Sequence, residues 1–526
     1  MPRARRTAGN AIASAGAHAA STLVVIAITP YAVATLGLAA YGLWALVSVV
    51  VRFAMLADFG LGPSLTKYVA EHSARGDRDR VRGVITVGVL YYLALAAIAI
   101  PLALLLGPRL IDSLHLPPDL RAQAPAILVG TLIWFVTSLL MWSTLSSLVN
   151  GLGHLRVTAA AAAIGQTAGA AAIVALLATH HGIWSMILGS YVQVVVQSVI
   201  VYAYARRRFG PVLISPFAVE SSVFRSLFVF GGWIQLTTIA GLFGAETVQV
   251  IVGVTLGVEA VAVFDLGSRV ARAVRVLAYH LNAAFLPAVA AHEVEHGTLS
   301  AQNTLAGASR YAGLISVAAT GLLIAIAPIA PRAWLGPHAP GASSIAMVIA
   351  VLALTYMIDN VGSVAGTTLR AVGKPWIEAV SSVVYAAANV AFVALLARHA
   401  GVPGVLAGTL ASSLLATVVF FVLFSRVRRD AIRLSFGSWA PRLLPACAVA
   451  AAASIAATRE FSGTGRTMAV LALIVGTTVY AVVLVPALRV AGFFGEQDLA
   501  FARRLLPMRV ASLLDTRAAR LLFGVP

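Results

Sequence analysis

Cysteine is almost missing from this chain. Cys447 stands alone, which rules out an intramolecular disulfide and any cysteine-based metal cluster. Charge is scarce as well: 11% of the 526 residues are Asp, Glu, Lys or Arg, against roughly 25% in a soluble domain. Acids are the rarer sign, 19 against 37 bases, for a net charge of +18. In a soluble protein that balance would point to nucleic acid. In a chain that is 60% hydrophobic, with a mean hydropathy of +0.92, basic loops kept on the cytoplasmic side are the simpler source, and no nucleic-acid partner is expected. Lysine occurs only at Lys67 and Lys374, so arginine carries almost all the positive charge. The chain also lacks a G-x-x-x-x-G-K-[ST] phosphate loop, an H-E-x-x-H zinc motif and a G-x-S-x-G nucleophile elbow. Its longest loops, about twenty residues, are too short for a soluble catalytic domain. These absences exclude an ATP-driven pump and argue against an enzyme. No cofactor and no metal are expected, and translocation is the class that remains.

What the chain has is apolar runs of membrane-spanning length. The first six cover about 10–35, 39–61, 83–106, 125–149, 158–178 and 184–205. The next six cover about 225–252, 257–289, 309–330, 342–366, 376–397 and 402–425, and two more cover 442–458 and 467–488. The expectation is an all-α polytopic membrane protein of about 14 helices. The basic start MPRARR precedes an apolar run too long for a cleaved signal peptide, and is read as a cytoplasmic N-terminus. On that orientation 27 Lys and Arg fall inside, 6 outside and 4 within the runs, an asymmetry that puts both termini in the cytoplasm.

The sequence repeats at a spacing close to 220. VALLATHHG at 174–182 returns as VALLARHAG at 393–401, Thr35-Leu36-Gly37 returns as Thr255-Leu256-Gly257, and Gly153 has a counterpart in Gly373. Six runs per repeat give both halves the same membrane orientation, so the repeats are parallel, with a substrate site expected between them. The predicted organisation is two pseudo-symmetric six-helix lobes, 1–215 and 216–435, an appended helix pair at 436–490, and a tail at 491–526. The tail interleaves Leu and Phe with Arg503, Arg504, Arg509, Arg517 and Arg520, which predicts an amphipathic helix on anionic lipid.

The charges inside the runs are the candidates for function. The eighth run holds Asp265, Arg269, Arg272 and Arg275; at about 100° per residue, Asp265 lies between Arg269 and Arg272 on one face, with Arg275 about 60° further round. Each such charge facing lipid costs roughly 2.5–3.5 kcal/mol, so the face should look into a bundle or an aqueous cavity. The repeat relates Arg272 to Arg52 in the second run, both in the cytoplasmic half. A guanidinium keeps its charge in low dielectric and offers a planar fork, which suits a phosphate. Arg52, Arg269, Arg272 and Arg275 are therefore the candidate substrate-binding residues. Asp58, Glu246, Asp265 and Asp359 are candidates for ion coupling or ion pairing: Asp58 is a possible partner for Arg52, and Glu246 is either a protonatable group or the partner of an eighth-run arginine. Asn360 beside Asp359 marks a second polar spot, while Gln193, Gln197, Asn389 and His18 read as interhelical or core residues.

Gly37, Tyr41-Gly42-Leu43-Trp44 and Asp58-Phe59-Gly60-Leu61, with Gly257, the charged eighth run and the segment Leu369-Arg370-Ala371-Val372-Gly373-Lys374, carry a resemblance. The chain resembles the polysaccharide-flippase branch of the multidrug/oligosaccharidyl-lipid/polysaccharide exporter superfamily. That resemblance implies a two-lobe, alternating-access transporter of the bacterial cytoplasmic (inner) membrane. It implies a lipid-linked oligosaccharide on undecaprenyl diphosphate as substrate, membrane lipids around it, and glycan polymerase or glycosyltransferases as partners. Two other readings stay open: a cation-coupled multidrug exporter, in which the acids do the work, and a non-transporting scaffold of an envelope assembly complex. The first run lacks the central carboxylate that many cation-coupled members carry.

Overall fold

Glycines with positive φ punctuate this chain where its apolar runs meet. The computed structural model describes the backbone of residues 2–112, 116–210, 239, 246–371, 376–427, 429, 432–437, 439–459, 461 and 465–494, and the side chains of all but 2–23, 50, 54, 55, 103, 106, 110, 276–308, 363, 364, 367, 368, 370, 371, 433 and 434 among these. The tail arginines, most of the seventh run, Gly373 and Lys374 lie outside the described residues, as does the side chain of His18. Regular structure within them is helical.

Helix α1 (Pro2–Ala54) holds the first two predicted runs, divided at Gly37 (φ 77, ψ 166), a conformation open to glycine alone. A 3₁₀ turn, Met55–Asp58, follows; then Phe59 (φ 51) and Gly60 (φ 64) turn the chain into α2 (Leu61–Ala74). Lying between two predicted runs, this stretch reads in sequence as a loop, and the structure makes it a helix. Leu61, Leu65, Val69 and His72 repeat at helical spacing and are buried against α3 (Arg78–Asp112) and α5 (Thr144–Gly151). Asp77 caps α3, its Oδ1 accepting from the Arg80 amide at 3.0 Å. The fourth run is α4 (Pro118–Ser138), a π-helical turn at Leu139–Ser143, and α5. Then come α6 (Leu155–Ala178), α7 (Trp184–Phe209) and α8 (Glu246–Leu256).

Helix α9 (Val258–Ile326) joins the eighth and ninth runs without the expected loop; residues 290–308 contain no proline and stay helical. It is followed by α10 (Ala330–Leu335), α11 (Ala342–Ala371) and α12 (Trp376–Val427). Helix α12 holds the eleventh and twelfth runs and breaks at Gly401 (φ 58, ψ −139). A π-helical turn at Arg433–Gly437 precedes α13 (Ala440–Arg459) and α14 (Arg466–Val490). Ten helices among the described residues are long and apolar enough to cross a membrane, against the fourteen runs expected. The two fused pairs each count once, the seventh run is described only from Glu246, and the eighth carries too many charges to qualify.

The chain divides into two compact units, Met1–Ala262 and Val263–Pro526. In the first, small residues set the helix seams. A Cβ on Gly165 would meet Gln197, on Gly169 would meet Gln193, and on Gly189 would meet Ile173, so α6 and α7 pack antiparallel at backbone distance. In the second unit the two limbs of α12 pack the same way: Gly404 faces Leu396, Gly408 faces Phe392, and Ser381 Oγ donates to the Ala416 carbonyl at 2.8 Å. Gly182 (φ 59) and Gly401 (φ 58), Gly189 and Gly408, and Ile173 and Phe392 are all pairs 219 positions apart. Both the turn and the close approach that follows it thus recur in the three-dimensional structure, not only in the letters.

Candidate functional site

Each unit pairs arginine with carboxylate inside its apolar runs. In the first, the second limb of α1 packs antiparallel against the chain from α8 into the start of α9. Gly42 lies against the Val258 carbonyl, where a Cβ would collide, and Gly253 lies against Leu46. One turn further along this seam, Arg52 meets Glu246 and Gln249. Its Nε is 2.8 Å from Glu246 Oε2, an ion pair in which the N–H is not aimed for a hydrogen bond, and its Nη2 donates to Gln249 Oε1 at 3.3 Å. The Arg52 side chain keeps 31% of its surface exposed and Glu246 keeps 14%.

Asp58 does not serve Arg52. Six residues on, and across a 3₁₀ turn, its carboxylate accepts from the Tyr92 hydroxyl at 2.6 Å and from the backbone amides of Leu61 and Gly62 at the start of α2. The π-helical turn brings Ser143 Oγ to 3.3 Å from the same hydroxyl, and Ser147 Oγ donates to the Gly62 carbonyl at 3.0 Å. The Tyr91 hydroxyl bonds to the Ala57 carbonyl. Asp58 therefore fastens the turn from α1 into α2. Glu246, likewise, pairs with Arg52 of α1 and not with an arginine of the eighth run.

In the second unit, α9 and α11 run parallel: Gly341 lies beside Val263, Gly267 beside Ile345 and Val348, and Asn360 Nδ2 donates to the Val274 carbonyl at 3.2 Å. Asp265 is buried, with 5% of its side chain exposed. Arg269 Nε donates to its Oδ2 at 2.7 Å and Arg272 Nη2 stands 3.6 Å from its Oδ1. The helical spacing that put these three groups on one face is realised as one carboxylate between two cations. Ser268 completes the arrangement, taking Arg272 Nη2 on its Oγ at 2.9 Å and Arg272 Nε on its carbonyl at 3.3 Å. The Arg272 side chain stays 43% exposed.

Arg275 turns elsewhere. Its guanidinium lies 5.8 Å from the centre of the Tyr356 ring on α11, one helical turn from Asp359. Asp359 Oδ1 accepts from Ser413 Oγ on the second limb of α12 at 2.5 Å. Sequence reasoning missed Gln249, Ser268, Tyr356, Tyr385 and Ser413. One signal was available: aligned at 220 positions, Ser48 falls on Ser268 just as Arg52 falls on Arg272, so an S-x-x-x-R pattern recurs. Gln193 and Gln197 sit in the α6–α7 seam, and buried Asn389 lies 3.5 Å from the Tyr385 hydroxyl.

Among the described residues no group of three or more His, Cys, Asp or Glu is placed to hold a metal ion. The clusters can bind an anion through guanidinium groups, or a polyol through mixed donors and acceptors.

Comparison with known proteins identifies the fold and the family. By fold, the chain is similar to the lipid II flippase MurJ in its inward closed conformation, at 12% identity and a TM-score of 0.65, over 90% of this chain and 97% of that one. It is also similar to an inward-facing multidrug resistance MATE family transporter of the MOP superfamily, at 16% identity and a TM-score of 0.62, over 79% and 94%. A Vibrio cholerae MATE transporter gives 15% identity and a TM-score of 0.52, over 82% and 100%. No curated protein matches the sequence. The family model for polysaccharide biosynthesis proteins matches residues 8–292, more than half of the chain. The fold is thus the one shared by MurJ and the MATE transporters, and the chain is a multi-pass membrane protein that belongs to the polysaccharide biosynthesis protein family.

Proposed function

We propose that this protein is a flippase that moves an undecaprenyl-diphosphate-linked oligosaccharide from the inner to the outer leaflet of the bacterial cytoplasmic membrane by alternating access. The observation that carries this reading is the cluster inside an apolar run of α9, where the single carboxylate of Asp265 stands against the guanidinium groups of Arg269 and Arg272; Arg52, paired with Glu246 in the first unit, is the counterpart of Arg272 in the sequence repeat. One carboxylate does not neutralise two guanidinium groups. The surplus favours an anion, and Arg272, 43% exposed against 18% for Arg269, is the more accessible of the two to a phosphate oxygen. Arg275 stands at the mouth of this site. Both termini are cytoplasmic, the lobes are 1–215 and 216–435, the pair at 436–490 lies beside the lipid tail, and the segment 491–526 rests on the membrane. No bond is made or broken. Outward transfer of one net negative charge is helped by roughly 2.3 kcal/mol per 100 mV when it crosses the whole field. Glycosyltransferases supply the substrate and a glycan polymerase consumes it.

The test is a strain in which Arg52, Arg269 and Arg272 are neutralised together. Lipid-linked saccharide should accumulate on the inner leaflet, as in a deletion strain. Normal flipping by the triple variant at normal protein level removes the phosphate site. A cation-coupled multidrug exporter is the second reading, favoured by the TM-score of 0.62 to a MATE transporter and by an exposed Asp359 within a membrane span. It predicts drug hypersensitivity of the deletion strain without accumulation of lipid-linked saccharide.

A further inference from the structure

The second unit holds a polar cluster around Asp359 that the contacts of Arg269 and Arg272 with a phosphate leave out. On α11, Tyr356 and Asp359 stand one turn apart within the membrane span; the tyrosine is half-buried and Asp359 is exposed. Arg275 of α9, also exposed, reaches over the Tyr356 ring. On the first limb of α12, half-buried Tyr385 lies within electrostatic reach of Asp359, Tyr356 and Arg275, with Asn389 one turn further along. Ser413, from the second limb, fixes one carboxylate oxygen of Asp359 and leaves the other for a ligand.

We infer that Arg275, Tyr356, Asp359 and Tyr385 form a saccharide-binding subsite. The charge balance chooses the ligand class. One carboxylate beside one guanidinium sums to zero, so the cluster does not concentrate an anion, and Asp359 repels a phosphate. A bound cation would face Arg275, and no group of three metal-capable side chains stands among the described residues. A neutral polyol satisfies every part. Its hydroxyls donate to Asp359 and accept from Arg275, and the apolar face of a sugar ring packs on tyrosine rings. Placing an exposed carboxylate inside a membrane span is costly unless water or a polar ligand covers it, and a glycan does so. Arg275 thus belongs with the sugar, whereas Arg269 and Arg272, held by Asp265 one to two turns earlier on α9, belong with the diphosphate.

This inference rests on the flippase reading, and the experiment separates the two. Full-length protein in nanodiscs is titrated with two probes: undecaprenyl diphosphate, and the pool of undecaprenyl-diphosphate-linked saccharides extracted from source cells lacking this protein. Tyr385→Ala and Asp359→Asn should each weaken the saccharide-bearing probe about tenfold and leave undecaprenyl diphosphate within twofold of wild type. Tyr385→Phe, which keeps the ring, should retain most of the preference and serves as the folding control. Arg272→Ala should weaken both probes. If the wild type binds both probes and Tyr385→Ala weakens them equally or not at all, the subsite is overturned while the flippase reading stands. If the wild type binds neither probe, both are overturned.

Discussion

Asp265 holds Arg269 at 2.7 Å and Arg272 at 3.6 Å, so a single buried carboxylate is shared by two guanidinium groups on one face of α9. Removing the acid leaves two cations uncompensated in a largely buried setting, whereas removing Arg272 leaves the Asp265–Arg269 pair intact. Asp265→Ala should therefore destabilise the protein by about 3 kcal/mol, the lower end for a broken buried pair, because Arg272 is partly solvated. Arg272→Ala should cost under about 1 kcal/mol. Thermal unfolding of the two variants in detergent checks the order; equal losses would contradict a shared carboxylate.

Arg52 and Glu246 come from α1 and α8 and meet at 2.8 Å, which makes the pair open to charge exchange. Arg52→Glu or Glu246→Arg alone places like charges together and should lower folded yield several-fold, by roughly 2–4 kcal/mol for a mostly buried pair. The double exchange should recover a large part of that yield. Yield of monodisperse protein by size-exclusion chromatography reads the effect, and a double variant no better than the worse single one would show that the pair does not couple the helices.

The hydroxyl of Tyr92 gives Asp58 a hydrogen bond of 2.6 Å next to the turn at Phe59 and Gly60. Tyr92→Phe keeps the ring and removes that donor together with the 3.3 Å contact to Ser143 Oγ, at an expected cost of about 1.5–3 kcal/mol, the range for a hydrogen bond to a charged group. Since Asp58 also accepts from the first amides of α2, the loss should appear as faster amide exchange in 61–74 ahead of any change in 155–209. Uniform loss of protection would place Asp58 outside the anchoring of α2.

Gly189 and Gly408 each sit where a Cβ would press on the neighbouring helix. Leucine at either position overpacks the seam, so each substitution should cost about 1–3 kcal/mol or more. Gly401→Ala acts differently: nothing lies within 4 Å of its Cβ position, and the cost, about 1–2 kcal/mol, comes from the left-handed backbone alone. Chemical denaturation in mixed micelles separates the cases, because a second change that opens space, Ile173→Ala, should partly relieve Gly189→Leu, whose nearest obstacle is the Ile173 side chain, and leave Gly401→Ala unaffected.

The spans were legible because lipid enforces a composition as well as a pattern: long apolar stretches interrupted at Gly37, Gly182, Gly257 and Gly401 reappear as helices broken or ended at those residues. The Asp265–Arg269–Arg272 face was legible because helical spacing alone brings residues four and seven apart together. Helix α2 was not, since its buried positions Leu61, Leu65 and Val69 are diluted by Gly62, Pro63, Lys67 and Glu71, and a short amphipathic helix yields no long apolar run. The partner of Arg52 was not legible either. It comes from a helix 194 positions away in sequence, chosen by which glycines let α1 and α8 touch. For the same reason the tyrosines around Asp359 escaped notice, as aromatic residues in apolar runs look like core until a charged group is found beside them.

The glycine seams of α6 with α7, and of the two limbs of α12, have a mechanical consequence. Backbones meeting at Gly165, Gly169 and Gly189, or at Gly404 and Gly408, interlock in steps of one helical turn, so sliding one helix along the other by less than a turn drives side chains into main chain. Each such pair is a stiff beam. The alternating-access cycle we propose therefore has to bend this molecule at other places, and the residues already outside helical geometry, Gly37, the Phe59-Gly60 turn and the π-helical turn at Leu139–Ser143, are where a hinge would require the least new strain.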